Sequence, residues 1–135
     1  SRMVDTAVEK GIPISQLHVD PLVFPISVNK EFGLHCLDAI RDIRGKYGPE
    51  IHITGGMSNV SFGIPGRKIV NGAFVTLAVE AGADGGIIDP VQYSPADIFA
   101  TDRKSLGYRL AKDMLLGKDE HCKKYIKAWR KGEMK

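Results

Sequence analysis

The chain has 135 residues, 43% of them apolar, with 19 Lys and Arg against 16 Asp and Glu and a formal net charge of +3. This length suits one domain with one core, and so apolar a chain with so small a net charge is not a disordered one. Two cysteines are too few to staple a secreted scaffold, and apolar runs of about 6 residues fall far short of the roughly 20 that a membrane span needs. The first ten residues lack the apolar stretch of a signal peptide. A soluble, cytoplasmic chain is expected.

Residues 4–10 read as the end of a helix, stopped by Gly11 and Pro13. Residues 16–24, rich in Leu, Val and Phe, read as a strand ending near Asp20 and Pro21. Asn29 or Ser27 is placed to cap the next helix, on which Leu34, Leu37, Ile40, Ile43 and Tyr47 share one face. Gly45, Gly48 and Pro49 end it. Residues 50–54 form a second predicted strand, followed by a glycine-rich turn.

Pro65 stands where a first helical residue would, since its missing N–H costs nothing there. Val70, Ala73, Phe74, Leu77, Ala78 and Ala81 then make an apolar stripe, and Gly82 supplies the stop. Residues 85–89 predict a short buried strand. Ser94, Pro95 and Asp97 form a helix-start box, with a capping hydroxyl, proline at the first position and an acid in the first turn. One helix follows through Leu106, Leu110 and Met114, and another through Cys122, Tyr125, Ile126 and Trp129. There is no internal repeat.

Alternating strands and helices predict an α/β fold with about three parallel strands and right-handed crossovers. Chemistry in such sheets gathers beyond the carboxyl ends of the strands, which puts Asp20, the Ser58–Asn59 pair and Asp89 on one rim. Three strands are few, because a closed eight-stranded barrel takes about 250 residues. The chain therefore reads as the C-terminal portion of a (β/α)8 barrel, or as a sheet completed by another copy. A small flavodoxin-like sheet is the alternative. Open sheet edges also predict a homo-oligomer.

Charge is uneven along the chain. From Lys118 onward there are seven basic and three acidic residues, and the remainder is close to neutral. The tail reads as a solvated helix face or as a patch for an acidic partner. No known nucleic-acid-binding motif accompanies it, so nucleic acid is not expected. His18, His35, His52 and His121 have no metal-ligand spacing with the cysteines, so no metal is expected. Cys36 and Cys122 read as plain thiols.

The densest signal is residues 54–67, where a strand ends in glycines, an amide stands at the rim and a helix begins. Helix N-termini collect anionic groups, and Arg67 adds a forked donor. Neither a Walker loop nor a dinucleotide fingerprint has this glycine spacing. The run from Gly56 through Met57, Ser58, Asn59, Val60, Ser61, Phe62, Gly63 and Ile64 to Pro65, with Arg67, resembles the pterin-binding motif of methyltetrahydrofolate:corrinoid methyltransferases. That family includes the folate domain of cobalamin-dependent methionine synthase. Residues 20–25 are similar to its preceding strand and residues 115–126 to its last helices.

The resemblance implies a TIM barrel that moves a methyl group between N5 of tetrahydrofolate and the cobalt of a corrinoid carried by a partner protein. Residues 1–135 would be a single pterin-binding-like domain, a partial barrel lacking its N-terminal half. By position, Asp20 would accept hydrogen bonds from the amino-pyrimidine edge of the pterin. Asn59, the catalytic candidate, would bond near N5, where charge develops. Ser58 and Arg67 would shape the pterin pocket, and Asp89 is a candidate rim contact. A dihydropteroate synthase-like enzyme is the runner-up, although its lysine-bearing motif is missing. A non-catalytic, oligomerising barrel fragment is the reading from a different class.

Overall fold

In a computed structural model, which describes residues 2–134, helices alternate with short extended segments. Helix α1 (Arg2–Glu9) leads through a 3-10 turn (Ile14–Gln16) into β1 (His18–Val19). Helix α2 (Phe32–Tyr47) then leads to β2 (His52–Ile53), and a 3-10 turn (Met57–Ser61) to α3 (Arg67–Ala81). The chain finishes with α4 (Pro95–Phe99), α5 (Leu106–Leu115) and, after a 3-10 turn (Glu120–Cys122), α6 (Lys123–Arg130). None of these helices is long and apolar enough to cross a membrane.

The two strands pair in parallel, His18 with His52 and Val19 with Ile53. The N–H of His52 donates to the Leu17 carbonyl and that of Thr54 to Val19, each at 3.0 Å. The third predicted strand is reduced to a single parallel bridge between Gly56 and Ile87. Gly85 and Gly86 have no side chains to pack there, and the Ile87 side chain is 72% exposed. Only Ile88 of this segment packs against the core, which is too little covered surface for a full strand. Its place beside β2 nonetheless keeps the spatial order of the chain.

Helices cover one face of the sheet. Ile51 and Ile53 point into the core, where they join Leu37 and Ile40 of α2, Val70 and Phe74 of α3, and Met114 of α5, all fully buried. Strand alternation sends His52 to the opposite side. There its ring stacks on His18 at 4.6 Å, with 20° between the planes.

Several helix ends differ from expectation. Helix α3 begins at Arg67, two residues after Pro65, because Gly66 takes a left-handed conformation (φ +64°) as its N-cap. A side-chain carbon on Gly66 would lie 2.5 Å from the Trp129 ring and 2.9 Å from the Tyr125 hydroxyl. The close approach of α6 thus sets the start of α3. Neither Ser27 nor Asn29 is the N-cap of α2: Asn29 Oδ1 accepts from the Glu31 N–H at 2.9 Å and Ser27 Oγ donates to the Phe62 carbonyl at 2.5 Å. Gly45 lies inside α2, which ends at Gly48 (φ +78°).

Other ends follow the pattern read from the residues. Gly82 stops α3 in a left-handed conformation. The Ser94 box is complete: Ser94 Oγ accepts from the Asp97 N–H at 3.2 Å, and Asp97 Oδ2 accepts from the Ser94 N–H at 3.0 Å.

Candidate functional site

Parallel pairing brings the ends of β1 and β2 side by side, and each end leads into a loop that carries a polar residue. Asp20 follows β1 directly. Its Oδ1 accepts from the Leu22 N–H at 2.8 Å, closing a tight turn in which Leu22 has φ +62°. The same oxygen lies 3.0 Å from the point a side-chain carbon on Gly55 would occupy. Among the described residues nothing bonds Oδ2, and the residue is exposed. Asp20 is thus both a turn former and an open acceptor.

Asn59, on the other loop, lies against the next residue along, Gly56. Its amide nitrogen lies 2.9 Å from the point a side-chain carbon on Gly56 would occupy. The backbone N–H of Asn59 donates to the Gly56 carbonyl at 3.1 Å, which folds the 3-10 turn back over the glycines. Its side-chain amide has no hydrogen-bond partner among the described residues. A carboxylate and an amide therefore flank adjacent glycines, 39 residues apart in sequence between themselves. Gly55 itself is buried and Gly56 is half-buried.

Ser58 and Arg67 build the turn. Arg67 Nε donates to Ser61 Oγ at 2.9 Å, Nη2 donates to the Ser58 carbonyl at 2.8 Å, and the guanidinium lies 4.4 Å above the Phe62 ring. Ser61 is fully buried and also donates to the Ser58 carbonyl at 3.2 Å. The Ser58 hydroxyl meets the Tyr93 hydroxyl at 3.2 Å. Arg67 is accordingly directed at the loop that presents Asn59.

Asp89 is engaged locally. Its Oδ1 accepts from the Val91 N–H at 2.9 Å and its Oδ2 from Gln92 Nε2 at 2.8 Å. Both oxygens thus shape the turn after the Gly56–Ile87 bridge. The sequence reading passed over Tyr93, which is buried at 3% exposure and joins that segment to Ser58.

At the opposite end of the strands, Asp84 accepts from the Ile53 N–H at 2.7 Å and meets His52 Nδ1 at 2.7 Å. Arg44 donates to the carbonyls of Gly82, Gly48 and Ile51. This end is a structural clamp. Burial pushes the Cys36 thiol up to about 11, aided by the nearby Asp20 charge, and burial likewise raises Cys122. Both stay protonated and unreactive at neutral pH. Among the described residues no group of three or more His, Cys, Asp or Glu is placed to hold a metal ion.

The chain is 39% identical over 132 residues to a methylcorrinoid:tetrahydrofolate methyltransferase of Eubacterium limosum, covering 98% of this chain and 45% of that protein. It is 28% identical over 109 residues to methionine synthases of Mycobacterium tuberculosis and Mycobacterium leprae, covering 76% of this chain and 9% of each of them. The chain thus spans less than half the length of these relatives. Residues 1–89 match the family described as pterin binding enzyme, and with two thirds of its length so matched the chain belongs to that family.

Proposed function

We propose that this chain is the C-terminal portion of a (β/α)8 barrel that moves a methyl group between N5 of tetrahydrofolate and a corrinoid in the cytoplasm. The observation that carries the reading is that Asp20 lies against Gly55 and Asn59 against Gly56, neighbouring residues where β2 ends. Support for the chemistry comes from the Eubacterium limosum relative, whose name states methyl transfer between a methylcorrinoid and tetrahydrofolate. The corrinoid, held by a separate protein, supplies the metal that takes or gives the methyl group.

The donor set suits a pterin. A pterin edge presents amino and ring N–H donors, and an open carboxylate oxygen on Asp20 accepts them through charge-assisted bonds. N5 changes its charge and protonation as the methyl group moves. A neutral amide accepts from a protonated N5 or donates to a neutral one, so Asn59 serves both states without carrying charge itself.

Arg67 acts one step back. By gripping Ser61 and the Ser58 carbonyl it holds the turn that aims Asn59. Ser58 and Asp89 stand beside the pocket as loop-shaping groups. The remaining strands of the barrel, or a second copy of this chain, would pair with the outer edge of β1.

The test is titration of the chain with methyltetrahydrofolate. Asp20→Ala should weaken binding more than Asn59→Ala, because a carboxylate taking two donors makes stronger bonds than a neutral amide. Negligible effects of both substitutions would remove the site.

A further inference from the structure

We infer that the cationic face of α6 holds the γ-linked oligoglutamate tail of a folate whose pterin lies against Asp20 and Asn59. The inference rests on the pterin reading above and extends it to the far end of the substrate. Lys123, Lys127, Arg130 and Lys131 recur at helical spacing, and with Lys124 they cover an arc of roughly 120°. All five are exposed, while Tyr125 and Ala128 are buried on the other side.

Nothing within α6 neutralises this face, because the helix has no acidic residue. Three acids lie near its ends. Glu120 is ion-paired with Lys30, and its other oxygen lies 3.6 Å from His121 Nε2. Glu133 lies 3.4 Å from Lys131. Asp119 is buried and accepts from the N–H groups of Lys124 and Tyr125, each at 3.0 Å. Glu120 also acts electrostatically on Lys123, whereas among the described residues Lys127 and Arg130 have no carboxylate within ion-pair distance. Like charges at this spacing destabilise a helix, so an anion laid along them relieves a standing repulsion.

The face is continuous with the candidate site. A groove of about 430 Å³ is lined by His121, Lys123, Ile126, Lys127, Arg130 and Lys131. It adjoins a second depression of about 390 Å³, with which it shares His121 and Ile126. Ser27 and Lys30 of the loop after Asp20 line that depression, as do Gly63 and Ile64 of the loop after Asn59. His121 and Cys122 are consecutive non-glycine residues with left-handed backbone, φ +53° and +56°. That turn buries Cys122 and leaves the His121 side chain 72% exposed where the two depressions meet.

The chemistry favours an extended anion over a protein surface. An eight-residue helix is about 12 Å long, which is narrow against the ~800 Å² per partner of a standard protein interface. A γ-glutamate tail repeats one carboxylate per unit on a flexible chain. Lysines on flexible stems follow such a chain, and each screened contact adds little by itself. Affinity should therefore build with tail length.

The probe is p-aminobenzoyl-γ-pentaglutamate, which carries the tail but no pterin, compared with p-aminobenzoylglutamate. Binding to the full chain is read by calorimetry and by the indole signal of Trp129, the single tryptophan, which sits on α6. We expect the longer probe to bind about tenfold more tightly and to lose that advantage with added salt. Lys127→Glu with Arg130→Glu should abolish the difference, and Lys127→Gln with Arg130→Gln should halve it in free energy. Circular dichroism checks that the variants keep their helices. Equal binding of the two probes, or an unchanged advantage in the charge-reversed variant, would overturn the inference. Since neither probe has a pterin, that failure leaves the Asp20 and Asn59 reading standing, and loss of methyltetrahydrofolate binding on Asp20→Ala is scored separately.

Discussion

Asp20 Oδ1 lies 3.0 Å from the point where a side-chain carbon on Gly55 would stand, with Val23 Cγ2 next at 3.5 Å. The carboxylate of one loop is therefore seated on the bare backbone of the neighbouring strand end. Gly55 has no left-handed conformation to protect, so its role is space. Gly55→Ala should displace Asp20 and weaken methyltetrahydrofolate binding about tenfold, with a smaller change in melting temperature. Titration beside a thermal melt checks this, and unchanged affinity would show that Asp20 does not meet the ligand.

Asn59 carries a different expectation. An interaction that strengthens as charge develops on N5 appears in the rate of the chemical step more than in binding. Asn59→Ala should slow single-turnover methyl transfer on the order of a hundredfold in a preparation competent for transfer, with a smaller loss of folate affinity. Weakened binding with an intact rate would confine Asn59 to holding the pterin.

Arg67 grips its loop through two directions of one planar group, and a lysine has a single point charge to offer. Arg67→Lys should therefore cost about 1–2 kcal/mol of stability through the lost pairing of Ser61 and the Ser58 carbonyl. It should also reduce folate affinity, since the turn bearing Asn59 loosens. Chemical denaturation and titration of one sample measure both. Full affinity at reduced stability would separate the loop from the site.

Asp84 sets an acid limit. Burial opposes its charge, but the Ile53 N–H, the His52 ring and the Arg44 guanidinium together hold its carboxyl below the ordinary carboxylate value. A carboxyl lowered by folding contributes stability that is present above its unfolded value, about 3.9, and is lost as pH falls through the folded one. The clamp at the start of β2 should thus weaken below about pH 4. Asp84→Asn should flatten that part of the stability profile, as followed by thermal melts from neutral pH downward.

Much of the molecule is legible along the chain. The stripe from Val70 to Ala81 with its Gly82 stop, and the Ser94–Asp97 box, depend on neighbours three or four residues away. Local periodicity and capping therefore reveal them. The short parallel strands around His18 and His52 were visible for a similar reason, as β-rich runs separated by a helix. The segment 85–89 misled because its run of apolar residues promised a covered face, and the covering depends on what lies beside it.

The sequence by itself determined the α/β order, the parallel sheet and the pair of polar residues, Asp20 and Asn59, at the strand ends. Those features follow from spacing, turn chemistry and the rule that parallel strands present their carboxyl ends together. The tertiary structure decided which groups remain open. Asp89 and Arg67 look as available in sequence as Asp20 and Asn59, yet Asp89 closes a turn onto Val91 and Gln92 while Arg67 closes on Ser58 and Ser61. Hydrogen-bonding capacity is finite, and only folding shows where it is used. The same holds for Gly66, whose left-handed turn answers to Trp129 and Tyr125, some sixty residues away in the chain and in contact only once α6 is packed.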